Sequence, residues 1–158
     1  MTNLLDYLPI YCYYCNIVAF MNTDLLYTAI KAKGGRLTKT RKAIIDILLA
    51  SNCLMSLAHL RAELIKLSLS PDRSTLFREL IYLSKHAIAV KNTISGIDYY
   101  EIPHDHHHHL VCLGCKSIDK INIGNHLEKQ EKSIAKQSEF TVTNHSLEFY
   151  GYCKDCNK

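Results

Sequence analysis

No uninterrupted apolar run in this sequence reaches the length of a membrane-spanning helix. The most apolar stretch, residues 1–20, is broken by Asp6, Pro9 and Asn16. It also lacks the positive residues that precede the apolar part of a secretory signal peptide. No H-E-x-x-H motif is present, and no evident general base is paired with an open metal site. That removes the usual signature of a hydrolytic zinc enzyme. There is no internal repeat, and the one low-complexity patch is a histidine run inside the chain, not a terminal tag. Between Lys31 and Lys42 there is no acidic residue at all.

That last absence leaves Lys31, Lys33, Arg36, Lys39, Arg41 and Lys42 as a basic run that attracts phosphate in a salt-dependent way. The net charge of +4 is modest, so the placement of charge says more than its sum. A length of 158 residues suits one domain or two small ones. Six of the seven cysteines fall in C-x-x-C pairs: Cys12 and Cys15, Cys112 and Cys115, Cys153 and Cys156. This spacing suits a metal better than a disulfide and needs no oxidising compartment, so the cytoplasm is the expected location. Cys12 and Cys15 are given no role. Met21 opens a segment that reads as an ordinary cytosolic start, and residues 1–20 are expected to be an upstream extension.

Local patterns predict a short helix over 24–33 stopped by Gly34 and Gly35, and a second from Thr38 to Ala50 with Ile44, Ile47 and Leu48 inward. A third starts at Ser56 as N-cap, with Leu57, Leu60, Leu64 and Leu67 as one buried stripe. The fourth, over 72–85, is capped by Ser70 or Asp72, with Pro71 suited to a first helical position. Leu76, Leu80 and Leu83 face its core side; Arg73, Ser74, Phe77 and Arg78 lie on another. Ile88 and Val90, a Ser95-Gly96 turn, then Ile97 and Tyr99 read as a hairpin. Three core helices and a hairpin follow the order of a winged helix-turn-helix. A hinge is expected near Glu101-Ile102-Pro103. Strands near 107–113, 117–122 and 140–149 around a helix near 125–138 complete the chain. The expected class is α+β: an extension over 1–20, a winged-helix DNA-binding domain over 21–102, and a small α/β dimerisation and metal-binding domain over 103–158.

Two constellations carry metal chemistry. Cys112-x-x-Cys115 and Cys153-x-x-Cys156 can complete a tetrahedral thiolate shell for structural zinc. In Asp105-His-His-His-His109, an extended backbone would turn His107 and His109 one way and His106 and His108 the other, feeding two sites from one strand. Glu101, Glu128 and His145 are candidate completing ligands, although each alone is more often a surface residue. On the fourth helix, Arg73 and Arg78 can reach guanine edges or phosphates, and Phe77 a thymine methyl.

The stretches His106-His-His-His-Leu-Val-Cys-Leu-Gly-Cys115 and Thr143-Asn-His-Ser-Leu-Glu-Phe-Tyr-Gly-Tyr-Cys153 resemble the dimerisation domain of the ferric uptake regulator family. Leu37-Thr-Lys-Thr-Arg41 and Ser74-Thr-Leu-Phe-Arg-Glu-Leu80 are similar to its first core helix and its recognition helix. The resemblance spans about residues 24–156. It implies a homodimer on a palindromic operator in double-stranded DNA, and most members repress metal-uptake genes with metal as corepressor. It also implies structural zinc on Cys112, Cys115, Cys153 and Cys156, a second site on His106, His108, Glu128 and His145, and a hinge regulatory site on Glu101, His107 and His109, with zinc or iron as the regulatory metal. The expected DNA contacts are Lys39, Arg41, Arg73, Ser74, Thr75, Phe77 and Arg78. There are departures. Phe77 stands where the family usually has Tyr. Cys53 lies where many members supply a hinge-site His, and is expected to offer a thiolate instead. A carboxylate after the second Cys falls at Asp119 or is lost to Lys120, depending on a gap. A metal-buffering protein without specific DNA binding is the alternative reading.

Overall fold

The computed structural model describes residues 23–51, 53–102, 105, 107–124, 127–142 and 145–158. The expected upstream extension, Cys12, Cys15 and His106 lie outside the described residues. The chain divides into two compact units that meet between residues 104 and 105. Among the described residues no helix is long and apolar enough to cross a membrane.

The N-terminal unit contains α1 (Thr23–Ala32), α2 (Lys39–Ala50), β1 (Met55–Ser56), α3 (Leu57–Lys66), α4 (Arg73–Lys85), β2 (Val90–Ile94) and β3 (Ile97–Glu101). Three helices begin at residues whose side chains accept a first-turn N–H: Thr38 from Arg41, Ser56 from His59, and Asp72 from Thr75. Asp72, not Ser70, is therefore the cap of α4. Pro71 lies outside the helix, one residue before that cap.

Three helices also end alike. Gly34, Ser68 and Ala87 each adopt positive φ. The next residue then donates back to a carbonyl in the last turn: Gly35 to Ile30, Leu69 to Leu64 and Ile88 to Leu83, each at 2.9 Å. This stop corrects two sequence expectations. Leu67 is the C-cap and is exposed, because the reversal at Ser68 gives its inward place to Leu69. Ile88 belongs to the end of α4, so the strand starts only at Val90. Gly35 has a separate constraint. A Cβ there would sit 2.0 Å from the Tyr82 hydroxyl and 3.0 Å from the Ile30 carbonyl oxygen, so the end of α1 lies directly against α4.

The core joins Leu26 and Ile30 of α1, Ile44, Ile45 and Leu48 of α2, Leu60 and Leu64 of α3, and Leu76, Leu80 and Leu83 of α4. Ile47 is only partly buried against it. The antiparallel sheet has the order β1-β3-β2. Its hairpin closes with Ile94 opposite Ile97, and both turn residues, Ser95 and Gly96, have positive φ, as a two-residue turn of primed type demands. β1 is too short to read from periodicity; it exists because Met55 and Ser56 pair with Tyr100 and Tyr99.

The C-terminal unit contains β4 (His108–Cys112), β5 (Ile118–Ile121), α5 (Glu128–Ser138) and β6 (Glu148–Gly151), in sheet order β5-β4-β6. β4 pairs antiparallel with β5 and parallel with β6. A parallel neighbour needs a long crossover, and α5 lies in it. The last strand is shorter than expected. Its pairing starts where β4 offers a partner, with Glu148 beside His109, so residues 140–142 and 145–147 are not strand and His145 precedes β6.

Leu64 and Leu67 have the same apparent helical role in the sequence and opposite burial in the fold. Leu64→Ala should destabilise the unit by about 2–5 kcal/mol, through lost transfer energy and the cavity left behind. Leu67→Ala should cost under about 1 kcal/mol. Denaturant unfolding of the two variants checks this.

Candidate metal centres and nucleic-acid interface

The turn between β4 and β5 and the turn after β6 each carry a C-x-x-C pair. In the first, Lys116 N–H donates to the Cys112 carbonyl, with Lys116 at positive φ. In the second, Cys156 N–H donates to the Cys153 carbonyl. The parallel pairing of β4 with β6 sets Cys112 beside Gly151 and so brings the two turns together. The sulfurs of Cys112, Cys115, Cys153 and Cys156 all lie within 4.8 Å of one another. Cys115 Sγ and Cys153 Sγ are 3.8 Å apart. A tetrahedron of sulfurs at the zinc–thiolate bond length has edges of about 3.8 Å. The donor set therefore fits zinc.

The electrostatics agree. The Cys112 thiol is pulled down to about 6, chiefly by the backbone N–H of Cys153, which lies 3.3 Å from its sulfur, and then by that of Cys115. Cys115 is also lowered, first by the Ser117 hydroxyl, whose oxygen is 3.2 Å from its sulfur. Cys156 is pushed up to about 12 by its hydrogen bonds to the Cys153 and Cys112 sulfurs. Thiolates this close oppose one another's ionisation, and a divalent cation removes that opposition. Gly114 keeps the turn tight, since a Cβ there would meet Cys156 Cβ and Sγ at 2.8 Å.

The four described histidines of the C-terminal unit occupy two places. The His107 and His109 rings meet edge-on at 5.0 Å between centroids. His107 Nδ1 is 3.0 Å from the Asp105 carbonyl oxygen, a contact that holds the ring and favours a proton on Nδ1. His108, buried on β4, faces His145, with 5.2 Å between ring centroids. His145 Nδ1 in turn contacts the Glu131 carboxylate of α5 at 2.5 Å. Glu128, one turn earlier, accepts from Lys132 at 2.6 Å. Two imidazoles, one of them contacted by the Glu131 carboxylate, are donors of a kind that suits zinc or iron. Sequence reasoning chose Glu128 and missed Glu131, although the spacing of three places both on one helix face. Glu101 ends β3 in the N-terminal unit, opposite Val90. Cys53 follows α2, where its carbonyl accepts from the Ser51 hydroxyl. It is in none of the groups of three or more candidate ligands found among the described residues. Asp119 and Lys120 both lie on β5, opposite Leu110 and His109.

On α4, Arg73, Ser74, Phe77 and Arg78 are exposed, together with Ile81. Their neighbours Leu76 and Leu80 are fully buried, so the helix is fixed by one face and presents the other. The Ser74 and Thr75 hydroxyls both donate to Asp72, at 2.6 and 2.8 Å. These bonds hold the Asp72 carboxyl well below the usual range, the Ser74 hydroxyl first and then the Thr75 N–H. Both hydroxyls thus serve the cap first. Lys39 is exposed at the start of α2. Arg41 is held between the helices. Its Nε lies 2.6 Å from Glu79 Oε2, with only 11% and 15% of the two side chains exposed. It also donates to the Arg36 carbonyl at 2.8 Å and sits 3.8 Å over the Tyr82 ring. This guanidinium braces α2 against α4 and does not face outward.

The profile described as the ferric uptake regulator family matches residues 32–150. A ferric uptake regulation protein of Vibrio parahaemolyticus is 32% identical over 130 residues, covering 80% of this chain and 87% of that protein. The peroxide-responsive repressor PerR of Staphylococcus saprophyticus is 28% identical over 135 residues, covering 82% and 87%. Among solved structures, the Vibrio cholerae ferric uptake regulator superposes with a TM-score of 0.70 at 30% identity, covering 80% of this chain and 98% of that one.

Cys112→Ser should remove one zinc per chain and lower the melting temperature, because metal binding to such a site is also folding free energy. Gly114→Ala should keep the zinc but speed its loss to a chelator by crowding Cys156. Zinc content by elemental analysis and timed release to a chromophoric chelator read both variants.

Proposed function

The chain belongs to the ferric uptake regulator family of metal-responsive transcription regulators, and we propose that it represses metal-uptake genes with zinc or iron as corepressor. The observation that carries this reading is one chain holding both kinds of site. Exposed Arg73, Phe77 and Arg78 stand on a helix anchored by its opposite face, and the same chain has a four-thiolate cluster and paired histidines. Arg78 and Arg73 are suited to guanine edges or phosphates, and Phe77 to a thymine methyl. Lys39 adds a phosphate contact that is electrostatic and independent of sequence.

Cys112, Cys115, Cys153 and Cys156 would hold a structural zinc. His108 and His145, with Glu128 and His106 on the family resemblance, would hold a second metal. His107 and His109 would serve the regulatory site, and the resemblance adds Glu101. A bound cation supplies positive charge that draws these donors together. Such an ion regulates only by binding one arrangement of the protein more tightly than another, and populations then shift by that difference.

Dimerisation is supported by the C-terminal unit. None of the residues of α5 is buried, and Leu110, Leu113, Phe149, Tyr150 and Tyr152 are exposed around β4 and β6. A second copy covering this surface would give a two-fold assembly matched to a palindromic operator.

Capture of genomic fragments at one fixed salt concentration tests the proposal. With zinc or iron, the protein should retain a few AT-rich palindromes, and chelation should release them. Unselective capture, indifferent to metal, would overturn the repressor reading in favour of metal buffering. Arg78→Ala should weaken operator binding by about 1–3 kcal/mol and relax selectivity at one position, whereas Lys39→Ala should weaken all sequences alike and reduce the salt slope by about one.

A further inference from the structure

Glu131 has no role in either constellation read from the sequence, yet it contacts a histidine of the second candidate metal centre directly. Its Oε1 lies 2.5 Å from His145 Nδ1, with 26% and 20% of the two side chains exposed. An ionised carboxylate only accepts hydrogen bonds, so this contact requires the proton on Nδ1. In the neutral imidazole the lone pair is then on Nε2, the form that can ligate a metal. The ring so fixed is the one that faces His108, 5.2 Å away between centroids. His108 itself is anchored in the central strand, opposite Ile121.

We propose that Glu131 is a positioning residue for this centre: from α5 it fixes the tautomer and orientation of His145, so that His145 presents Nε2 to a metal held with His108. The inference rests on reading His108 and His145 as ligands. Glu131 itself stays in the outer shell, where removing such a partner typically weakens metal binding 10–100-fold. Its place on the same helix face as Glu128, three residues earlier, lets α5 offer one carboxylate to the metal and another to the histidine.

The full chain, carrying zinc on its cysteine site, is titrated with Zn2+ by calorimetry, and His145 is observed by nitrogen NMR before the titration. Wild type should show the proton on Nδ1 of His145. Glu131→Ala should lose that preference and bind the additional zinc 10–100-fold more weakly, while the cysteine-bound zinc and the melting temperature stay as in wild type. Glu131→Gln, which keeps an accepting oxygen without the charge, should fall between. Wild-type affinity in Glu131→Ala, or a proton on Nε2 of His145 in wild type, would overturn the positioning role. His108→Ala and His145→Ala separate this from failure of the underlying site. If neither lowers the zinc count, no metal is held there, and the proposal falls with the site.

Discussion

The pairing of β4 on both sides is the constraint on which the metal chemistry rests. A one-residue slip of a strand exchanges its faces. In β4 that would turn His108 away from His145 and carry Cys112 out of register with the turn after β6. The register is held by antiparallel β5 on one side and parallel β6 on the other. The Leu113 N–H adds a 2.7 Å bond to the Gly151 carbonyl just past the strand end. Residues 112 and 153 are far apart in sequence, yet the cluster is assembled by the same ladder that builds the sheet. Folding the sheet and forming the thiolate site are therefore coupled. Backbone N–H groups favour the Cys112 thiolate while the neighbouring sulfurs hold the Cys156 thiol protonated, an opposition that a bound cation would relieve.

The N-terminal unit solves a different problem, which is to hold a helix by one face while exposing the other. Leu76, Leu80 and Leu83 supply the apolar anchor. Arg41 adds a directional one. Its ion pair with Glu79, its stacking on Tyr82 and its bond to the Arg36 carbonyl tie the start of α2 to the middle of α4. Gly35 lets the end of α1 close against the same tyrosine. Hydrophobic burial tolerates small rotations of a helix, whereas a buried guanidinium with three fixed partners does not. A basic residue in a basic run is thus spent on orientation, and its neighbour Lys39 is left for solvent or phosphate.

Periodicity and caps were legible because they are local. Thr38, Ser56 and Asp72 cap their helices through side chains that reach two or three residues along the chain. Ser95-Gly96 closes the hairpin through its own backbone preference. The stop at Gly34 was legible for the same reason, since glycine has no Cβ to resist positive φ. The equivalent stops at Ser68 and Ala87 were not. Neither residue advertises a left-handed conformation, and each adopts it because the packing of Leu69 and Ile88 requires the chain to reverse there. The cysteine spacing announced a metal shell because ligand geometry restricts which spacings work.

By itself the sequence determined the helices and their starts, the alternation of the histidines, the four thiolates, and the polar face of α4, since each depends on covalent neighbours or on a fixed repeat. Only the tertiary structure decided what depends on groups distant in the chain. It decided that Arg41 turns inward to Glu79, that Met55 and Ser56 become a strand through Tyr99 and Tyr100, and that His145 meets Glu131. In each of these a side chain or backbone group has several partners of suitable chemistry. The choice among them is made by which one the packed core brings within hydrogen-bonding distance, and that distance is not a property of the sequence order.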